Sequence, residues 1–271
     1  MLRGKNGWLQ EKEMIEFIVI VESSADARTA TQLAERILVD KIEWLEDEQL
    51  QYLFRWSGLE PGTEHSSWID IIDITQRLSN QFKLPKIRSN GKLKTDGQSA
   101  SKVMQLINFL QYKQNRDIKA VIFIRDLDNQ PERKEHIKQA RSEHKDQLEI
   151  VIGTADRTRE AWVLNGFIPL NQQEEQMLED ITQKLTFDPC KESHRLRYKL
   201  FDEPDRIRNP KVVLEKLTGG EMERQQQCWE ETSLELLRER GIHTGLTDYI
   251  HEVEQQLTPI LSCSASKFNI L

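Results

Sequence analysis

The chain has 271 residues, 31% of them charged, with 38 Lys and Arg against 45 Asp and Glu for a net charge of −7. That length allows one large domain, or one domain with an appendage, and enough burial for a full core. The acidic balance argues against a protein that coats duplex nucleic acid over its whole surface, while leaving room for a local basic patch.

The first apolar run, Phe17-Ile18-Val19-Ile20-Val21, is mostly β-branched and bounded by polar residues, the pattern of a strand covered on both faces. Positions 24–38 follow with Ala30, Leu33, Ala34, Ile37 and Leu38 at helical spacing, and Ser23 with Asp26 three residues on resembles a capping box. Positions 44–56 fit a strand or a helix equally, Pro61-Gly62-Thr63 marks a turn, and 83–97 reads as a polar, basic loop. A helix is expected over 99–114, with Val103, Leu106, Ile107 and Leu110 as its buried stripe. The second strand is Ala120-Val121-Ile122-Phe123-Ile124, followed by a charged helix over 131–144 with Pro131 in its first turn. Leu148-Glu149-Ile150-Val151-Ile152-Gly153 reads as a third strand.

Strands alternating with helices predict an α/β fold with a largely parallel sheet flanked by helices. Beyond Gly166 the pattern turns helical, over 171–185, 210–217, 221–240 and 246–257, with Gly219-Gly220 and Gly241 as punctuation. The expected division is an α/β domain over 1–166 and a mostly helical region over 167–271 packed on it, with 262–271 frayed. Three widely spaced cysteines, Cys190, Cys228 and Cys263, suggest neither a disulfide framework nor a zinc knuckle. No run approaches the ~18 apolar residues of a membrane span, and positions 1–16 lack the apolar stretch of a signal peptide. A cytoplasmic protein without membrane association is expected.

The informative carboxylates stand at strand ends. Glu22 follows the first strand directly, and Asp126 and Asp128 follow the second after Arg125. In an open α/β sheet, ligands gather outside the carboxyl ends of the strands. If the two strands are adjacent and parallel, Glu22, Asp126 and Asp128 meet there, and in extended geometry Asp126 and Asp128 point the same way. Clustered carboxylates repel until a proton or a cation neutralises them. Oxygen-only ligands suit Mg²⁺ or Mn²⁺ rather than zinc. Asp26 either joins this group or serves as an acid in the first helical turn. The basic residues Lys86, Arg88 and Lys92 are candidates for nucleic-acid phosphate contacts, and 195–211 holds a second basic region with Arg195 and Arg197. No glycine-rich nucleotide loop is present.

The order strand–Glu, helix, strand–Asp-x-Asp resembles the TOPRIM domains of topoisomerases, primases, ribosomal-RNA maturation nucleases and overcoming-lysogenisation-defect nucleases. The residues are Ile18-Val19-Ile20-Val21-Glu22-Ser23-Ser24-Ala25-Asp26 and Val121-Ile122-Phe123-Ile124-Arg125-Asp126-Leu127-Asp128. Glu160-Ala161-Trp162 is similar to the Glu-x-Trp element of small stand-alone bacterial TOPRIM-like proteins allied to the last group. Ser23 and Asn129 stand where TOPRIM domains often have glycine. The resemblance implies Mg²⁺-dependent nuclease chemistry on DNA or RNA, with Asp126 and Asp128 holding the metal, Glu22 as base or second-metal ligand, and Glu160 completing a second site. It also implies anti-phage defence and a separate ATPase partner. No tyrosine sits in a nucleophile context, which disfavours a topoisomerase. Two alternatives stay open: a haloacid-dehalogenase-type phosphatase, with Asp126 as nucleophile and Asp128 as general acid, and a non-catalytic TOPRIM interaction module.

Overall fold

The computed structural model describes residues 14–85, 87, 93–144, 148–197 and 207–264. Its sheet has five strands: β1 (Ile15–Val21), β2 (Phe54–Ser57), β3 (Ser66–Ser67), β4 (Ile118–Asp126) and β5 (Glu149–Ala155). All pairings are parallel and the order is β2-β1-β4-β5, with β3 beside the last residues of β1. In chain order the helices are α1 (Ser24–Lys41), α2 (Asp47–Leu53), α3 (Ile71–Phe82), α4 (Thr95–Gln114), α5 (Glu132–His144), α6 (Arg159–Asn165), α7 (Gln172–Leu185), α8 (Pro210–Thr218), α9 (Met222–Glu230), α10 (Leu234–Arg240), α11 (Leu246–Gln256) and α12 (Thr258–Ser264).

The continuous apolar runs serve two faces at once, because successive strand residues point to opposite sides. Phe17, Val19 and Val21 of β1 pack with Ile122 and Ile124 of β4 against Leu33 and Ile37 of α1 and Tyr249 and Val253 of α11. Their neighbours Ile18, Ile20, Val121 and Phe123 pack on the other face against Ile74 of α3, Leu106 of α4 and Ile137 of α5. A third cluster joins Val163 and Leu164 of α6 to α7, α8 and Trp229 of α9. The fold is thus α/β with a parallel sheet flanked by helices and a helical C-terminal part.

Several boundaries differ from the sequence reading. Positions 44–56 divide into α2 and the edge strand β2, since the chain turns extended at Phe54 to pair with Ile15. The helix expected from 99 begins at Thr95, which brings Gly97 against the His136 carbonyl of α5. The single helix expected over 221–240 is two helices. Thr232 donates its hydroxyl to the Gly166 carbonyl at 2.5 Å, and Ser233 caps α10 by accepting from the Leu236 N–H. Residues 262–264, expected to fray, belong to α12. The C-terminal region does more than pack on a finished domain, because Tyr249, Ile250, Val253, Leu257 and Leu261 complete one face of the sheet. Among the described residues no helix is long and apolar enough to cross a membrane.

Candidate active site

β1 and β4 lie side by side with Ile20 opposite Phe123, so Glu22 and Asp126 leave the sheet at one edge. The Glu22 carboxylate accepts at Oε1 from the Asp126 backbone N–H at 3.1 Å and from Arg125 Nη1 at 2.8 Å. β4 runs on to Asp126, beyond the end expected at Ile124, because it pairs with β5 as far as Ala155. Asp126 Oδ1 accepts from the Arg159 backbone N–H at 3.0 Å, tying the strand end to α6.

The expectation that Asp126 and Asp128 are aligned by extended backbone does not hold. Asp128 and Asn129 have φ of 45° and 66°, a left-handed turn. Asp128 is 49% exposed at its side chain and pairs with Arg133 Nη1 at 3.1 Å. Asn129 thereby adopts the backbone conformation that favours glycine, and asparagine tolerates it better than most residues.

Asp26 serves as the acid in the first helical turn, and its charge also bears on Asp126. Its Oδ2 accepts from the Ser23 N–H at 2.7 Å and from the Ser23 hydroxyl at 2.8 Å, and Ser23 Oγ accepts from the Asp26 N–H, a complete capping box. Its Oδ1 lies 3.9 Å from Arg159 Nε. Glu160, in the first turn of α6, has Oε1 at 3.8 Å from Arg159 Nη2. Its Oε2 is buried without a hydrogen-bond partner among the described residues. Trp162 anchors this helix. Its indole N–H donates to the Thr244 carbonyl at 2.8 Å, and its ring stacks on Tyr249 at 5.2 Å. Tyr249 in turn donates to the Ala30 carbonyl.

Charge sets the behaviour of the group. Burial first, and then the negative charges of Asp26, Glu22, Glu160 and Asp128, push the Asp126 pKa up to about 8. Burial also raises Glu22, against the opposing pull of Arg125 and the Asp126 N–H. It raises Asp26 as well, against the Ser23 hydrogen bonds. Glu16, at the opposite edge of the sheet, behaves otherwise. Burial would raise its pKa, but hydrogen bonds from Arg116 and Arg55 outweigh that and hold it low.

Sequence reasoning missed four participants. Arg125 bridges Glu22 and Asp96, Arg133 bridges Asp96 and Asp128, and Arg159 lies between Asp26 and Glu160. Six carboxylates therefore face three guanidiniums. The one sequence signal was Arg125, a charge set between a buried strand and its terminal Asp. Lys86, Arg88 and Lys92 lie outside the described residues.

The donors fit a hard divalent cation in chemistry: they are all oxygen, they carry excess negative charge, and one buried oxygen has no partner. They are not gathered around one point. Among the described residues no three His, Cys, Asp or Glu side chains are already placed to hold an ion together. A cation entering here has to take over oxygens now held by arginine. No protein-family model, no curated protein and no solved structure matches this chain.

Proposed function

We propose that this chain is a TOPRIM-like, Mg²⁺- or Mn²⁺-dependent nuclease of DNA or RNA, or the nuclease subunit of an anti-phage system whose ATPase is a separate cytoplasmic protein. The observation that carries the reading is that Glu22, Asp126 and Glu160 stand at one end of the sheet, where β1 and β4 finish and α6 begins, with Asp126 feeling the charge of both glutamates and Glu160 Oε2 buried without a partner among the described residues. Glu22, Asp126 and Glu160 would hold the metal, with Asp128 at the exposed rim. When bound, the metal neutralises the scissile phosphate and stabilises the attacking and leaving oxygens. Glu22, its pKa raised by burial, suits removal of a proton from the attacking water, and Arg125 fixes its orientation.

Calorimetry with Mg²⁺ and Mn²⁺, beside a cleavage panel of single- and double-stranded DNA and RNA, tests this. The expected result is metal binding and metal-dependent cleavage, both abolished by Asp126→Ala in a protein that stays folded. Full activity in Asp126→Ala removes the assigned site. Release of phosphate from small phosphomonoesters without polymer cleavage points to the phosphatase alternative.

A second reading, the non-catalytic module, has its own support. Arg125, Arg133 and Arg159 already stand among the carboxylates, and among the described residues no three ligands converge. Its signature is a wild type that neither binds metal nor cleaves.

A further inference from the structure

Eight buried side-chain polar atoms lack a hydrogen-bond partner among the described residues, and they are not scattered evenly. Five of them, Arg125 Nε, Arg157 Nε, Thr158 Oγ1, Glu160 Oε2 and His194 Nδ1, belong to the carboxyl edge of the sheet and the segment beside it. Buried polar atoms without partners are costly, so a cluster of them marks a place that a ligand completes. Two adjacent members, Arg157 and Thr158, offer donors.

Arg157 follows β5 by two residues and is held in place through its backbone, whose carbonyl accepts from the Asp128 N–H at 3.1 Å. Its guanidinium makes no ion pair among the described residues, although two carboxylates lie near it. Both are committed elsewhere. Asp156 is gripped by both Nη atoms of Arg197, at 3.2 and 3.0 Å, and Asp128 is held by Arg133. Burial, and then the like charge of Arg197, lower the Arg157 pKa, the mark of a cation short of negative charge. Thr158 occupies the cap position of α6, yet its hydroxyl makes no cap hydrogen bond. His194, which feels the charges of Arg197 and Asp156, packs on His243 with ring centroids 4.7 Å apart.

We propose that Arg157 and Thr158 form an oxyanion site that grips a phosphate, and that its ligand is the phosphodiester backbone of a nucleic acid lying across the acidic edge. The guanidinium fork matches two phosphate oxygens, and the threonine hydroxyl donates to one of them. An acidic edge repels any polyanion, so a cationic grip on a neighbouring phosphate is what would hold a strand in register there. The polymeric nature of the ligand rests on the nuclease reading, whereas the oxyanion site does not.

The test is binding in EDTA, where no metal chemistry contributes. A fluorescent single-stranded oligonucleotide is titrated over a range of salt, with inorganic phosphate and a mononucleotide as competitors. Arg157→Ala should weaken oligonucleotide binding about tenfold and lower the salt slope by about one. Arg157→Lys should recover part of the loss, and Thr158→Val should weaken binding less than Arg157→Ala. Arg77→Ala, an equal change of net charge on a residue paired with Glu60, should leave affinity and slope unchanged. Thermal midpoints should match the wild type in every variant. Phosphate competing as tightly as the oligonucleotide would support the oxyanion site and assign it to a terminal or free phosphate. A wild type that binds neither probe, or an Arg157→Ala protein with unchanged affinity and slope, overturns the inference. Failure of the metal reading is seen separately, as absent Mg²⁺ and Mn²⁺ binding in calorimetry.

Discussion

Asp126 is the residue on which the competing forces bear most heavily. Its folded pKa of about 8 lies above the ordinary aspartate value, so the native state holds its proton more tightly than the unfolded chain does. The sign follows: the stability this proton brings is complete below about pH 4 and is lost as pH rises toward about 8. Asp126→Asn keeps an Oδ1 for the Arg159 N–H and removes the titration. In EDTA the variant should match the wild type near pH 4 and exceed it increasingly as pH rises toward about 8, by up to about 5 kcal/mol if the whole shift is expressed, read as a higher melting temperature. Melting curves across that range decide it, and two parallel stability profiles would mean that neither burial nor the surrounding carboxylates raise the Asp126 pKa. The contrast with Glu16 explains why such a site has to be read from structure. Both residues are acids at the ends of buried strands, yet arginine hydrogen bonds outweigh burial at Glu16, whereas burial and neighbouring carboxylates act together at Asp126.

At the scale of elements, the turn before α11 is a tight, left-handed join. Gly245 has a φ of 81°, and a side chain there would run into the Thr154 carbonyl of β5. Gly245→Ala should therefore cost about 2–4 kcal/mol in chemical denaturation. Gly219, left-handed at 64° with open space around it, supplies the comparison: Gly219→Ala should cost only about 1 kcal/mol. Equal losses would show that conformation alone matters and that the approach to Thr154 does not. These joins also mark where the sequence was legible. β1, β4 and β5 were readable because a strand buried on both faces must be apolar without interruption. The Ser23–Asp26 cap and the placement of Glu22 and Asp126 followed from local pattern. The split between α9 and α10 did not, since it depends on Thr232 reaching Gly166, 66 residues away. Nor did the interleaving of Arg133 and Arg159 with the acids, because a charged helix position reads as solvent-facing until its neighbours are known. Asp128 was misjudged for a local reason, a left-handed turn carried by non-glycine residues.

For the whole molecule, the boundary near residue 166 separates patterns in the sequence, while one hydrophobic cluster spans it. Residues 246–261 supply Tyr249, Val253, Leu257 and Leu261 to the same core as Phe17 and Ile122. A fragment ending at 166 should therefore fail to give a cooperative melt and should be cleaved rapidly by protease, while the full chain unfolds in one transition. A separate, cooperative melt of the fragment would restore the two-part division.

The lateness of that last contribution has a consequence in the cell. Translation delivers β1, β4 and β5 before the segment around Tyr249, so the apolar face that Tyr249, Val253, Leu257 and Leu261 cover is bare until that segment emerges. Parallel pairing of distant strands is already slow, and exposed apolar surface invites association. Until α11 and α12 close over the sheet, a growing chain therefore carries apolar surface open to association.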